Sequence, residues 1–184
     1  MKTKSILLFA FLTILFWKPA FASEDSLSIN WLKIEGGPYF SQSAGFYFSV
    51  GYSYKSQGIL SRANFKHLSE LSINTNPKES LNTFGLSFGI FDKSSKFFRA
   101  ELLAGPSICF GKVKGEFLRS DKGFLGVKYY EKENLFSPGL DLDLAIYAIA
   151  FHKLAMGINF WSHLNFEKQI AGIGLHFNLG NFKT

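Results

Sequence analysis

The sequence predicts an all-β chain folded as an eight-stranded antiparallel up-and-down barrel that crosses a membrane on its strands. Three observations carry that expectation. Apolar residues alternate with small or polar ones at period two in eight separate segments, which is the pattern of strands with two unlike faces. The non-apolar face is rich in glycine and serine, which suits the narrow lumen of a small barrel; a solvated exterior would carry more Lys, Glu and Thr. Apart from a first connection near 41–44 that is short where the pattern wants length, the connections alternate between tight and longer ones, as they do when turns lie on one side of a membrane and loops on the other.

Composition excludes the main competitors. Of 184 residues 47% are hydrophobic, with twenty-two phenylalanines, seven tyrosines and three tryptophans, far too apolar for a disordered chain. Charged residues make up 18%, below the usual quarter of a soluble domain. Beyond the N-terminal segment no apolar run approaches the ~18 residues that a spanning helix needs. The single cysteine, Cys109, rules out a disulfide-built module and a multi-cysteine metal site.

Residues 1–22 have the three parts of a secretory signal peptide: Lys2 and Lys4, an apolar core from Ile6 to Trp17, and the small-x-small ending Ala20-Phe21-Ala22 after Pro19. Cleavage after Ala22 leaves residues 23–184 as one barrel domain. Lys2, Lys4 and Lys18 leave with the leader, so half of the formal net charge of +6 is lost with it. No phosphate-cradling glycine loop and no basic stripe with interleaved aromatics is present, and nucleic acid is not an expected partner.

The strands follow in order. In 31–40, Leu32, Ile34 and Phe40 oppose Lys33, Glu35 and Tyr39. In 45–54, Phe46, Phe48, Val50, Tyr52 and Tyr54 oppose Gly45, Tyr47, Ser49, Gly51 and Ser53. In 58–68, Ile59, Ala63 and Phe65 oppose Arg62, Asn64 and Lys66. Segments 83–91, 98–111, 139–150, 154–161 and 171–180 repeat the pattern. Each is near the ~9–11 residues of a tilted membrane strand. A slip of one residue exchanges the two faces, and the weakly patterned 31–40 and 58–68 are the most open to it. Tight connections fall near 55–57, 92–96 and 151–153, and longer ones at 69–82, 112–134 and 162–170. The middle of 112–134 is either an outward β extension or a loop.

The leader, the strand ending Ala104-Gly105-Pro106-Ser107 and the final 171–180 (Ala-Gly-Ile-Gly-Leu-His-Phe-Asn-Leu-Gly) resemble small outer-membrane β-barrel proteins of Gram-negative bacteria, of the OmpA-like or opacity type common in Bacteroidota. The resemblance implies a bacterial outer-membrane location, amid outer-membrane lipid and lipopolysaccharide, and no particular activity. Such barrels often finish on an aromatic residue; here Phe182 is followed by Lys183 and Thr184.

The predicted lumen face collects Lys33, Glu35, Arg62, Lys66, Arg99, Glu101, Asp141 and Asp143. Buried charges must find partners, and a balanced set reads as an internal ion-pair network that plugs the barrel, where a selective pore would show one sign in excess. Asp141 and Asp143 lie on one face about 7 Å apart. Paired carboxylates suit a divalent cation or acid–base work, but with no third ligand nearby in sequence, pairing with Arg62 or Arg99 is expected. No cofactor site is expected.

Lipid A deacylases are also eight-stranded barrels and carry a His-x-Ser pair; here Ser162 immediately precedes His163 and points to the opposite face, so the nucleophile position is not matched. His67 and His163 are expected near the outer rim, His152 in a turn and His176 in the lumen. Cys109 reads as a small lumen residue, and Tyr52, Tyr54, Phe151, Phe160 and Trp161 as an interfacial girdle. The expected function is non-enzymatic, a structural or interaction role through loops 69–82 and 112–134 toward an extracellular ligand or protein. A carrier of small hydrophobic molecules is the alternative, and a lipid-modifying enzyme the third.

Overall fold

A computed structural model describes residues 29–56, 58–92, 97–121, 126–151, 153–180 and 182. The expected leader, residues 1–22, lies outside them. The strands are β1 (Ile29–Phe40), β2 (Ala44–Ser56), β3 (Ile59–Glu70), β4 (Thr75–Asn76), β5 (Ser80–Asp92), β6 (Phe98–Ser120), β7 (Lys128–Phe151), β8 (Leu154–Asn165) and β9 (Ile170–Gly180). All but β4 pair antiparallel with their neighbours in chain order, and β9 pairs back onto β1, so eight strands close a ring. Closure leaves no backbone edge facing hydrocarbon, where an unpaired N–H or C=O would cost several kcal/mol.

The register sets the shape. From Lys33 the cross-strand partners run through Gly51, Asn64, Gly85, Ser107 and Gly139 to Asn165. Taken the other way across the closing seam they run through Asn178 to Ala155, ten residues from Asn165. A stagger of that size in eight strands tilts them by about 40°. A twelve-residue strand such as β1 then rises about 30 Å along the axis, enough to cross the hydrocarbon core.

The outer face is apolar and open. On β2, Phe48 is 55% exposed while its neighbour Ser49 is 3% exposed, and the same alternation runs along β5, β7, β8 and β9 through Phe84, Leu86, Phe88, Leu142, Leu144, Ile146, Ile158, Phe160 and Phe177. A belt of aromatic and aliphatic side chains around a closed sheet is stable where lipid tails replace water. The fold is a transmembrane β-barrel.

Inside, the layers follow the strand sequences. On β1 the inward residues run Trp31, then Lys33 and Glu35, then Tyr39; on β3, Leu60, then Arg62 and Lys66, then Leu68; on β7, Leu135, then Asp141 and Asp143, then Ala145 and Tyr147. An ionic layer thus lies between two apolar ones. The first apolar layer, at the turn side, joins Trp31, Leu60, Leu103, Tyr147 and Phe182. The second, at the loop side, joins Tyr39, Tyr47, Leu68, Leu81, Cys109, Trp161 and Ile170.

Trp161 therefore departs from the expected girdle. It shares its face with Asn159 and Gly157, is 3% exposed, and meets the Tyr47 ring edge-on at 4.9 Å. Its indole occupies the space left by Gly172, its partner on β9, where any Cβ would stand 2.6 Å from Nε1. Phe182 likewise packs inward, 5.9 Å from Trp31 and 6.4 Å from Tyr147.

The connections are shorter than expected because the strands are longer. Segment 112–134 is largely a β extension: β6 and β7 continue their ladder beyond the barrel to Ser120 and Lys128, with register irregularities between Lys114 and Arg119. The β8–β9 connection contracts to 166–169. The β3–β5 connection contracts to 71–79 and contains β4, which adds in parallel to β7 at Lys128 and Tyr129. The β2–β3 turn pairs Ser56 directly with Ile59, and its Gly58 takes φ +82°, the left-handed region that glycine enters without strain.

The lipid-facing belt is open to a direct test. Leu144→Arg should cost about 2–4 kcal/mol, as charges at the midplane of membrane barrels do, in denaturant titrations of the protein in liposomes. Glu116→Arg on the β6–β7 extension should leave the midpoint unmoved.

Candidate functional site in the barrel lumen

All eight charged residues singled out in the sequence have buried side chains directed into the barrel, none more than 4% exposed. Seven of them join two sets, and Arg99 lies toward the turn side. The first set is centred on Asp143 of β7. Its Oδ1 takes Lys33 Nζ at 3.3 Å and Arg62 Nη1 at 3.1 Å, and Asn159 Nδ2 donates to Oδ2 at 3.3 Å. Lys33 also pairs with Glu35 at 2.7 Å and donates to Asn159 Oδ1 at 2.9 Å. Arg62 pairs with Glu101 through Nη2 and donates through Nε to Ser53 Oγ at 2.7 Å. Tyr147 closes the set, its hydroxyl donating to Glu101 Oε1 at 2.6 Å.

The second set is centred on Asp141. Lys66 Nζ lies 2.8 Å from Oδ2, and His163 Nδ1 2.8 Å from Oδ1. Ser107 Oγ is 2.9 Å from the same His163 nitrogen, and Lys66 stands 5.0 Å above the Trp161 ring. The space for these groups comes from Gly85, where a Cβ would be 2.6 Å from Asn64 Oδ1 and 2.8 Å from Asp141 Oδ2.

These bonds run across the lumen. In the ring, β1 and β3 each stand three places from β7, so Lys33 and Arg62 reach Asp143 from opposite flanks. Asp141 pairs with Lys66 and His163 rather than with an arginine. Arg99 lies toward the turn side, its guanidinium 5.8 Å from the Phe91 ring. Among the described residues no three His, Cys, Asp or Glu side chains are grouped to hold a metal.

Ser107, Asn159, Tyr147 and Ser53 are participants that sequence reasoning did not select, and His163, expected at the rim, is fully buried in the lumen. The signal for His163 was its shared parity with Asn159 and Trp161. Ser107, His163 and Asp141 resemble a nucleophile–base–acid series in composition only. A triad needs the serine on one ring nitrogen and the carboxylate on the other, whereas both contact Nδ1 here. Of the remaining histidines, His67 faces outward with Nδ1 2.9 Å from Asn82 Oδ1, His176 is buried in the lumen edge-on to Tyr147 at 5.5 Å, and His152 lies outside the described residues. Cys109 is buried and free in the loop-side apolar layer.

A separate polar cluster lies at the loop-side mouth. Glu70 Oε2 accepts from the Glu79 backbone N–H at 2.9 Å, and Oε1 from Thr75 at 3.2 Å and from Lys114. Glu79 accepts from Ser43 and Lys168. Burial pushes the Glu79 carboxyl up, but the bonds from Lys168, Ser43 and the Lys114 backbone outweigh it and hold the group below the usual carboxylate range.

No family model matches this sequence and no curated protein matches it. Solved structures do match in fold. Neisserial surface protein A shares 10% identity at a TM-score of 0.59, over 83% of this chain and 96% of that one. The attachment invasion locus protein Ail of Yersinia pestis, in complex with the heparin analogue sucrose octasulfate, shares 8% at 0.56, over 83% and 98%. The N-terminal β-barrel domain of Pseudomonas aeruginosa OprF shares 9% at 0.56, over 84% and 99%. The likeness is one of fold, the eight-stranded barrel of the outer-membrane type.

Two outcomes follow for these clusters. Asp143→Ala removes the carboxylate that Lys33 and Arg62 share, leaving each with one anionic partner, and should cost about 1.5–3 kcal/mol in denaturant titrations of the refolded barrel. For Glu79 the folded pKa is depressed, so its stabilising contribution is present above the unfolded value of about 4.3 and is lost as pH falls through the folded value. Protease cleavage within 71–79 should rise on acidification, and Glu79→Gln should flatten that dependence.

Proposed function

We propose that this chain is a non-enzymatic barrel of the bacterial outer membrane, delivered by a signal peptide at residues 1–22, with a lumen plugged by its own side chains and an interaction role carried by the loop side. The observation that carries the reading is the cross-lumen pairing of Lys33 and Arg62 with Asp143, stacked between two apolar layers. The eight buried lumen charges are four of each sign, with no excess of one sign to select an ion. The β6–β7 extension and the 71–79 strap are then the parts that meet the exterior, and a partner is recognised there.

The carrier reading is disfavoured by the ionic layer, which an apolar cargo would have to cross at a desolvation cost. The enzyme reading is disfavoured by the geometry at His163.

Labelling from outside intact cells with a membrane-impermeant maleimide tests location and orientation together. In a Cys109→Ser background, Glu131→Cys on the extension should react and Lys153→Cys in the β7–β8 turn should not. Recovery of the protein in a soluble fraction, or labelling at position 153 alone, would overturn the reading.

A further inference from the structure

The lipid-facing side of β3 departs from the apolar belt. Where β2 presents Phe46, Phe48, Val50, Tyr52 and Tyr54, β3 presents Ser61, Ala63, Phe65, His67 and Ser69. His67 is exposed, and Asn82 stands directly opposite it on β5, with the outward parity of Phe84 and Leu86. The pair lies within the belt. Phe48 opposes His67 on β2, with Phe46 two residues nearer the loop side, and Phe110 opposes Asn82 on β6; all three are exposed. Polar atoms set among lipid tails need partners from protein, because the tails supply none.

Within one barrel the pair is satisfied only by half. Asn82 Oδ1 can only accept, so His67 Nδ1 donates across the 2.9 Å contact. A neutral imidazole then keeps Nε2 as an acceptor, and the Asn82 amide keeps Nδ2 as a donor. A second copy supplies what each needs. Two barrels inserted the same way round are related by a two-fold axis along the membrane normal, and such an axis leaves every residue at its own depth. With the axis between β3 and β5, His67 of each copy faces Asn82 of the other. Each amide donates to Nε2 of the opposite copy, and two bonds within copies and two between them close a ring. The lean of the strands by about 40° carries the line of contact below that ring from β3 to β2, through the exposed side chains of Phe65, Val50 and Tyr52.

We infer that the β3–β5 face joins two copies of this chain side by side in the membrane through a reciprocal His67–Asn82 hydrogen-bond ring. The inference rests on the membrane reading above. Lipid competes on equal terms for the apolar part of the face, so the hydrogen bonds decide whether the copies associate.

The test is sedimentation equilibrium of the full refolded barrel in a density-matched neutral detergent, over a range of protein-to-detergent ratios. Gel mobility checks folding, and protease protection in phosphatidylcholine vesicles checks insertion. Wild type should sediment as monomer and dimer in exchange. His67→Phe with Asn82→Leu makes the face more apolar, yet should weaken dimerisation by roughly tenfold or more. His67→Asn with Asn82→His exchanges the two partners, keeps the donors and acceptors of the ring, and should restore the dimer. Undiminished dimerisation of the apolar variant would overturn the inference, as would failure of the exchange to restore it. A wild-type barrel that enters vesicles but stays monomeric at every ratio would mean that lipid alone covers the face, and would overturn the inference alone. Failure to enter vesicles would overturn the membrane reading and the inference with it.

Discussion

The carboxylate of Asp143 is the point on which the interior depends. It takes Lys33 from one flank of the ring and Arg62 from the other, in a space where an uncompensated charge costs several kcal/mol. Each of those cations is also held by a second carboxylate, Glu35 or Glu101, so the layer is a network of shared partners. Removing Arg62 leaves Glu101 without its cation and Asp143 with Lys33 alone. The strands that carry these residues are three places apart in the ring, and the network ties opposite walls together where backbone ladders tie only neighbours.

The rest follows from the same inversion of solvent. Lipid outside accepts Phe48, Leu144 and Phe160, while the inside must hold every charged or polar group that parity sends there. Small residues make that possible. Gly85 leaves space for Asp141 and Asn64, and Gly172 for Trp161. Aromatic and aliphatic layers flank the ion pairs at either end, and attraction between buried charges grows as the local dielectric falls.

Period two made the ring legible. Strands such as 45–54 alternate so regularly that their two faces were assignable from spacing alone. What spacing does not encode is where pairing stops. β8 runs on to Asn165 and β6 to Ser120, through residues whose composition resembles loop, because a partner strand is there to receive them. Parity grouped Lys33, Arg62, Glu101 and Asp143 on one face, but who pairs with whom depends on which strands confront each other across the lumen. For the same reason His163 and Ser107, far apart in sequence, were not seen as neighbours of Asp141. Trp161 shows the converse error. Its aromatic character suggested an interface, while its parity with Asn159 and the glycine opposite it pointed inward.

The claim that the lumen is closed by its own side chains is tested most directly by reconstituting the purified full barrel in a planar lipid bilayer and recording current under an applied potential. The account predicts a membrane that stays at its bare conductance after insertion is verified, because ion pairs and apolar layers fill the axis. A sustained ohmic current in unitary steps that scale with salt concentration would contradict it, and would make the lumen a water-filled path.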